Sequence, residues 1–343
     1  MSTFRLRKAK TLILFSITVA FTMLLCNYML FFKSTLSLLN DLHPKEACAC
    51  HRCVGETGGD TWFAERFNQD ISPLMSRRSS TLTNETYRWW LLLQDESQPT
   101  DFNEVVEKLF QVIPDKELYR DAKPGRCRTC SVVGNSGNLK NSNYGPLIDL
   151  SDFVIRMNRG PTKGFEKDVG SRTTHHIMYP ESAVNLDNET SLVLIPFKTL
   201  DLEWLISALT VGHINFTYLH VMPRIKASKD KVIVYNPIFM KYIYETWLEG
   251  HGLYPSTGFM AIIFALHICD EVNVYGFGAD QHGNWHHYWE DNKTGGAFRQ
   301  TGVHDGDYEH NLTMTLASKQ KIAFFTGTGM VQREEKLEFL WNN

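Results

Sequence analysis

From Ser131 onward, short apolar runs rich in β-branched residues alternate with helical patterns, and this alternation limits the fold more tightly than any other feature of the chain. Strand candidates are Ser131–Val133, Phe153–Met157, His175–Tyr179, Ser191–Pro196, Phe216–Val221, Val232–Tyr235, Glu271–Tyr275 and Lys321–Phe325. Helical patterns lie between several of them, at Leu200–Leu209, Pro237–Glu249 and Ser256–Cys269. Strands buried on both faces read as continuous apolar runs, and crossover helices supply the cover, so the pattern predicts an α/β domain with a mainly parallel sheet. Upstream, Asp60 to Val112 reads helical, with aromatic and aliphatic residues (Trp62, Phe63, Phe67; Trp89, Trp90; Val105, Val106, Leu109, Phe110) recurring near helical spacing. Core packing accounts for those aromatics. Pro99-Thr100-Asp101 reads as a helix start, with Thr100 or Asp101 as the N-cap.

The N-terminus sets the compartment. Leu12 to Phe32 is an apolar run of 21 residues whose only amide is Asn27, preceded by Arg5, Arg7, Lys8 and Lys10. At about 1.5 Å per residue it spans a bilayer core of roughly 30 Å. A cleaved signal has a shorter apolar region ending in small residues, and Phe31-Phe32-Lys33 does not fit that. The basic flank keeps the N-terminus cytosolic. The expected organisation is a cytosolic tail (1–11), a signal-anchor (12–32), a luminal stem (33–57), a catalytic domain (58–328) and a tail of unassigned role (329–343), helical or loose. Cys26 falls in the span, leaving six luminal cysteines: Cys48, Cys50, Cys53, Cys127, Cys130 and Cys269. Two CxxC pairs would suggest zinc in the cytosol. In an oxidising lumen an even count reads as three disulfides, with 15 connectivities open. Glycosylation sequons begin at Asn84, Asn188, Asn215, Asn292 and Asn311. A net charge of −3 gives no reason to expect nucleic acid.

Four blocks carry chemistry. In the first, Cys127–Gly170, an apolar run breaks into Gly134-Asn135-Ser136-Gly137-Asn138, and a second stops at Asn158-Arg159-Gly160. Asn135 and Asn158 thus follow two strands, at the usual ligand edge of an open α/β sheet, and each offers a donor and an acceptor. Both are equally at home as turn residues that tolerate positive φ. In the second, His251–Gly278, Pro255-Ser256-Thr257-Gly258 leads into an apolar helix, placing hydroxyls and N–H groups where phosphate or carboxylate binds; an ordinary N-cap needs the same residues. The third is His286-His287-Tyr288-Trp289-Glu290 and the fourth His304-Asp305-Gly306-Asp307-Tyr308-Glu309. Imidazole titrates near neutral pH, which suits proton removal from a sugar hydroxyl. The Asp305-Gly306-Asp307 triplet has the form of a metal-binding DxD.

In this order, the blocks resemble the large, small, third and very small sialylmotifs of eukaryotic sialyltransferases. The likeness runs from about Trp62 to Thr326 and is closest to the α-2,3-sialyltransferases acting on Gal-β-1,3-GalNAc, with Tyr87-Arg88-Trp89-Trp90, Met178-Tyr179-Pro180-Glu181-Ser182 and Pro196-Phe197-Lys198 in support. The resemblance implies a single GT-A-like, Rossmann-type domain on a Golgi membrane, single-pass type II, with its catalytic domain luminal; release by stem cleavage is compatible with this. It also implies the donor CMP-sialic acid and no metal or other cofactor, since the donor leaves as a monophosphate. Asn135, Asn158, Ser256, Thr257, Gly258 and Gly278 would bind CMP, His287 would contact the phosphate, and His304 would be the base. Gln94, Tyr179, Tyr218, Tyr254 and Trp285 would line the acceptor galactose of O-glycans or glycolipids. Disulfides Cys48–Cys53, Cys50–Cys127 and Cys130–Cys269 follow from the same likeness. Gln281-His282 and the residues after Gly327 depart from the family pattern.

The reaction so implied is an inverting single displacement: the galactose 3-hydroxyl, deprotonated by His304, attacks the anomeric carbon as CMP departs. Three competitors make different demands. A membrane-anchored lectin or pseudoenzyme needs no base. A nucleotide-dependent oxidoreductase needs a dinucleotide glycine fingerprint, whose spacing is missing here. A zinc module needs free thiols.

Overall fold

The computed structural model describes residues 16–33, 48–56, 59–94, 96, 98–280, 282–291, 302–327, 329 and 330. Sequon residue Asn292, Gln281 and the tail from 331 lie outside the described residues. The chain forms two units, Met1–Glu46 and Ala47–Asn343. In the first, Ser16–Lys33 is a helix of 18 residues, long and apolar enough to cross a membrane.

The second unit is built on one sheet. Its strands are β1 (Thr129–Val133), β2 (Phe153–Met157), β3 (His175–Met178), β4 (Ser191–Leu194), β5 (Val232–Val234), β6 (Glu271–Tyr275), β7 (Ala323–Thr326) and β8 (Gly329–Met330). The order across the sheet is β5-β4-β3-β2-β1-β6-β7-β8, parallel up to β7 and antiparallel only at β8. Alternate side chains serve opposite faces. Val132, Ile155, Ile177, Val193 and Val274 pack on one side with helix Thr257–Ile268, which is apolar on every face because it is buried on every face. On the other side Met178, Leu192 and Leu194 meet helices Phe102–Val112 and Thr199–Ala208, while Val133, Val154 and Tyr275 pack with Ile148 and Tyr288. The α/β architecture with a parallel sheet and helices on both faces is the one the sequence predicts.

Three local expectations need correction. Phe216–Val221 is not a strand: only an isolated bridge joins Phe216 to His220. Phe216, Tyr218 and Leu219 are exposed, and Thr217 is drawn inward because its hydroxyl donates to Glu181. Pro237–Glu249 is helical only to Tyr242 and continues as a π turn, Ile243–Trp247. The helical reading of 60–112 resolves into three helices, Thr61–Arg66, Asn84–Leu91 and Phe102–Val112; Asp101 is the N-cap of the last, accepting from Glu104 N.

Disulfides join Cys48 to Cys53, Cys50 to Cys127 and Cys130 to Cys269, so all six cysteines of this unit are bonded and none is left for zinc. The last ties the start of β1 to the C-cap of helix Thr257–Ile268. Asn84, Asn188, Asn215 and Asn311 are exposed.

Candidate active site

Strand order reverses between β1 and β6, and parallel α/β sheets bind ligands beyond the carboxyl ends of the strands at such a switch point. Here β1 runs into Gly134-Asn135, β2 into Asn158, β3 into Tyr179 and β6 into Gly276-Phe277-Gly278. The two central turns approach so closely that a Cβ on Gly134 would lie 2.3 Å from the Gly276 carbonyl oxygen. Together they floor a cavity of about 330 Å³. All the residues assigned above to the donor line it (Asn135, Asn158, Ser256, Thr257, Gly258, Gly278 and His287), as do His304, Tyr179 and Trp285. Gln94, Tyr218 and Tyr254 do not line this cavity. The Tyr254 ring meets His304 edge-on at 5.0 Å and lies 5.0 Å from Phe197, Gln94 accepts from Lys198 next to Phe197, and Tyr218 is exposed with its N–H donating to Glu181 Oε1.

Asn158 adopts the left-handed conformation (φ 55°), its carbonyl accepts from His176 Nε2 at 2.6 Å, and its side-chain Oδ1 is buried without a hydrogen-bond partner. A buried, unpaired amide oxygen facing a cavity is costly unless something fills it. The Asn135 amide is only loosely held, donating to the Met157 carbonyl at 3.4 Å. Ser256 is the N-cap of helix Thr257–Ile268: its Oγ accepts from Phe259 N at 3.1 Å. The same hydroxyl donates to Glu309 Oε2 at 2.5 Å, and Ser256 N donates to Glu309 Oε1 at 2.7 Å. Ser256 is thus committed to the protein, and beyond it the first-turn N–H groups of Thr257 and Gly258 stand at the kind of helix end where anions can bind.

The two assigned imidazoles occupy different settings. His304 is deeply set; burial lowers its pKa below the usual 6.5, opposed by its hydrogen bond to the Tyr254 carbonyl. That bond, 2.8 Å from Nδ1, fixes the tautomer: a carbonyl only accepts, so Nδ1 carries the hydrogen and Nε2 the lone pair. His287 stacks on Trp289 at 4.4 Å and pairs through Nδ1 with Glu290 Oε1 at 2.8 Å. Its strand-like segment pairs with the glycine turn, with a bridge between Ser136 and His287 and Gly137 N donating to the His286 carbonyl. Of the DxD, Asp305 is already engaged: Oδ1 caps helix Gly306–Ser318 through Tyr308 N, and Oδ2 meets His251 Nδ1 at 3.0 Å. Among the described residues no group of three His, Cys, Asp or Glu side chains is placed to hold a metal ion.

Several lining residues had no role assigned from the sequence: Phe277, His286, Glu309, His310 and Thr313. Glu309 and Phe277 stood inside recognised motifs without a role, and Thr313 follows Glu309 by one helical turn, a spacing that could have flagged it.

A parallel sheet with a cleft at its switch point, lined by the first turn of a helix and by imidazoles, suits an enzyme that handles a nucleotide-linked substrate. Comparison with known proteins narrows the class. The model of glycosyltransferase family 29 (sialyltransferase) matches residues 74–321. The chain is 55% identical over 285 residues to the chicken (Gallus gallus) CMP-N-acetylneuraminate-beta-galactosamide-alpha-2,3-sialyltransferase 1, covering 83% of each chain. It is 52% identical to the human (Homo sapiens) protein of the same description, covering 84% of this chain and 85% of that one. A crystal structure of a mammalian sialyltransferase in complex with Gal-beta-1-3GalNAc-ortho-nitrophenol superposes with a TM-score of 0.76 at 53% identity, covering 82% of this chain and 99% of the other. The chain belongs to glycosyltransferase family 29, the sialyltransferases.

Proposed function

We propose that this enzyme transfers sialic acid from CMP-sialic acid to the 3-hydroxyl of galactose in Gal-β-1,3-GalNAc glycans, by an inverting single displacement without a metal, at a Golgi membrane with its catalytic unit luminal. The observation that carries the reading is the fixed tautomer of His304. Its Nε2 holds a lone pair at one side of a cleft whose other contents, the unpaired Asn158 oxygen and the N-terminus of helix Thr257–Ile268, suit a nucleotide monophosphate. His304 takes the proton of the attacking hydroxyl. The helix terminus and His287 stabilise the negative charge that grows on departing CMP. Asn135 and Asn158 read the nucleoside, and Gln94, Tyr179, Tyr218, Tyr254 and Trp285 receive the galactose. The relatives support the acceptor: two carry β-galactosamide α-2,3-sialyltransferase in their descriptions, and the solved neighbour was crystallised with a Gal-β-1,3-GalNAc glycoside.

The test is transfer of labelled sialic acid to Gal-β-1,3-GalNAc, Gal-β-1,3-GlcNAc and Gal-β-1,4-GlcNAc with linkage analysis, using wild type and His304→Ala. The first acceptor should dominate with an α-2,3 product, and loss of the base should slow turnover by about 10²- to 10⁴-fold with CMP binding retained. Near-wild-type turnover by His304→Ala would refute the assignment of the base.

A further inference from the structure

Lys198 is a buried cation, 3% exposed, in the turn between β4 and helix Thr199–Ala208. Its Nζ forms an ion pair with Asp201 Oδ1 at 2.8 Å and donates to Gln94 Oε1 at 2.5 Å. Asp201 is wholly buried, and its Oδ2 accepts from Phe197 N at 2.8 Å. Two further contacts dock the Gln94 segment on this turn. Trp90 Nε1 donates to the Pro196 carbonyl at 2.8 Å, and Glu96 accepts from Thr199 N and Leu200 N at 2.8 and 3.0 Å.

The chemistry of the contact is directional. An ammonium has three donors and no acceptor, so Gln94 must turn its carbonyl oxygen to Lys198. The amide nitrogen, with two hydrogens to donate, is left to face away from the cation. The Phe197 ring, next to Lys198 in the chain, lies 5.0 Å from that of Tyr254, which in turn meets His304. Without the cation, the two ends of the Gln94 amide would be nearly equivalent choices. A buried ion pair is poor value as a stabiliser, because desolvation offsets its attraction. Its use lies in fixing an orientation.

We propose that Lys198, braced by Asp201, is a positioning residue that sets the sense of the Gln94 amide, so that Gln94 presents its NH₂ group to a lone pair of an acceptor sugar hydroxyl. The inference rests on the reading of Gln94 as an acceptor-binding residue. It goes beyond that reading by naming what determines its polarity.

The experiment is a double-mutant cycle on the full chain in detergent, measuring KM for Gal-β-1,3-GalNAc, kcat, CMP affinity and thermal midpoint for Gln94→Ala, Lys198→Met and the pair together. Loss of one neutral hydrogen bond corresponds to roughly a tenfold change in KM. Gln94→Ala and Lys198→Met should each raise KM by about that factor with CMP affinity unchanged. Lys198→Met should add nothing once Gln94 is gone. A full additional rise in the Gln94→Ala background, or an unchanged KM in Lys198→Met where Gln94→Ala raises it, would overturn the inference while leaving the acceptor assignment in place. An unchanged KM in Gln94→Ala would overturn both. Should Lys198→Met fail to fold, Lys198→Met/Asp201→Asn, which leaves no lone buried charge, carries the same comparison with the same outcomes.

Discussion

Replacing Glu309 by Gln should change how the protein's stability responds to pH, and the size of that change follows from the carboxyl's surroundings. Glu309 is 6% exposed and receives hydrogen bonds from both Ser256 N and Ser256 Oγ. Burial pushes its carboxyl up to about 7 from the ordinary 4.5, against the pull of the Ser256 bonds and helped by the nearby Asp305 charge. At about 1.36 kcal/mol per pH unit, that gap corresponds to about 3 kcal/mol. The sign is set by proton counting. Below pH 4.5 both folded and unfolded chains hold the proton. Between 4.5 and 7 the unfolded chain has released it and the folded one has not, so stability falls as pH rises. Above 7 the full cost is present. The amide of a Glu309→Gln protein does not titrate; its oxygen can accept from Ser256 N while its NH₂ donates to Ser256 Oγ. Urea unfolding of the two full-length proteins at pH 5, 6, 7 and 8 should therefore show the variant gaining on wild type by up to about 3 kcal/mol across the series. Parallel curves would refute the argument, because they would mean that Glu309 ionises in the folded protein as it does in the unfolded chain.

Three further predictions follow from the site. Burial holds the His304 pKa below 6.5, and on the proposed mechanism transfer needs its neutral form, so the acid limb of kcat/KM should fall below pH 6.5; a limb above 7 would mean that another group is being titrated. His287→Ala should weaken CMP binding by about tenfold or more, the scale of a charge-assisted hydrogen bond, and isothermal titration showing unchanged CMP affinity would remove His287 from the phosphate. Gly276→Ala should lower stability by about 2–5 kcal/mol, because φ is +72° and its Cβ would sit 2.4 Å from Leu139 Cδ1. Gly164→Ala, at φ +88° with nothing within 4 Å, should lose only the backbone part, and equal losses in melting would discount the close approach of the two turns.

Much of the fold was legible because strands buried on both faces leave long apolar signatures. Phe153–Met157 and Glu271–Tyr275 coincide with the predicted runs to the residue. Phe216–Val221 had the composition of a strand and failed for a tertiary reason: Thr217 bonds Glu181, which no local pattern encodes. The break in Pro237–Glu249 was equally invisible, since nothing in its residue types distinguishes an α from a π turn. At the site, residues placed by strand ends were readable, as Asn135 and Asn158 show. What could not be read was commitment. Ser256 has the composition of a ligand-binding N-cap, yet its hydroxyl is occupied by an acid 53 positions away. Lys198 appeared as one member of a supporting motif, and only the folded chain reveals that its charge is spent on Gln94.

On the proposed reading, the same commitments hold the base and the anion site at a fixed separation. Segments 253–256 and 303–309 are stitched together by four hydrogen bonds: Leu253 N to the Val303 carbonyl, His304 Nδ1 to the Tyr254 carbonyl, and Ser256 N and Oγ to the two oxygens of Glu309. One end of the seam carries the imidazole, and the other carries the first turn of helix Thr257–Ile268. That helix is locked in turn against β1, β2, β3 and β6 by an apolar surface with no exposed face. On the proposed reading, the distance between the group that takes the proton and the group that receives the leaving phosphate is a property of this seam, fixed before either substrate arrives. Rates of displacement fall by about a hundredfold for an ångström of misplacement. A seam of four short hydrogen bonds backed by a close-packed helix supplies that constraint.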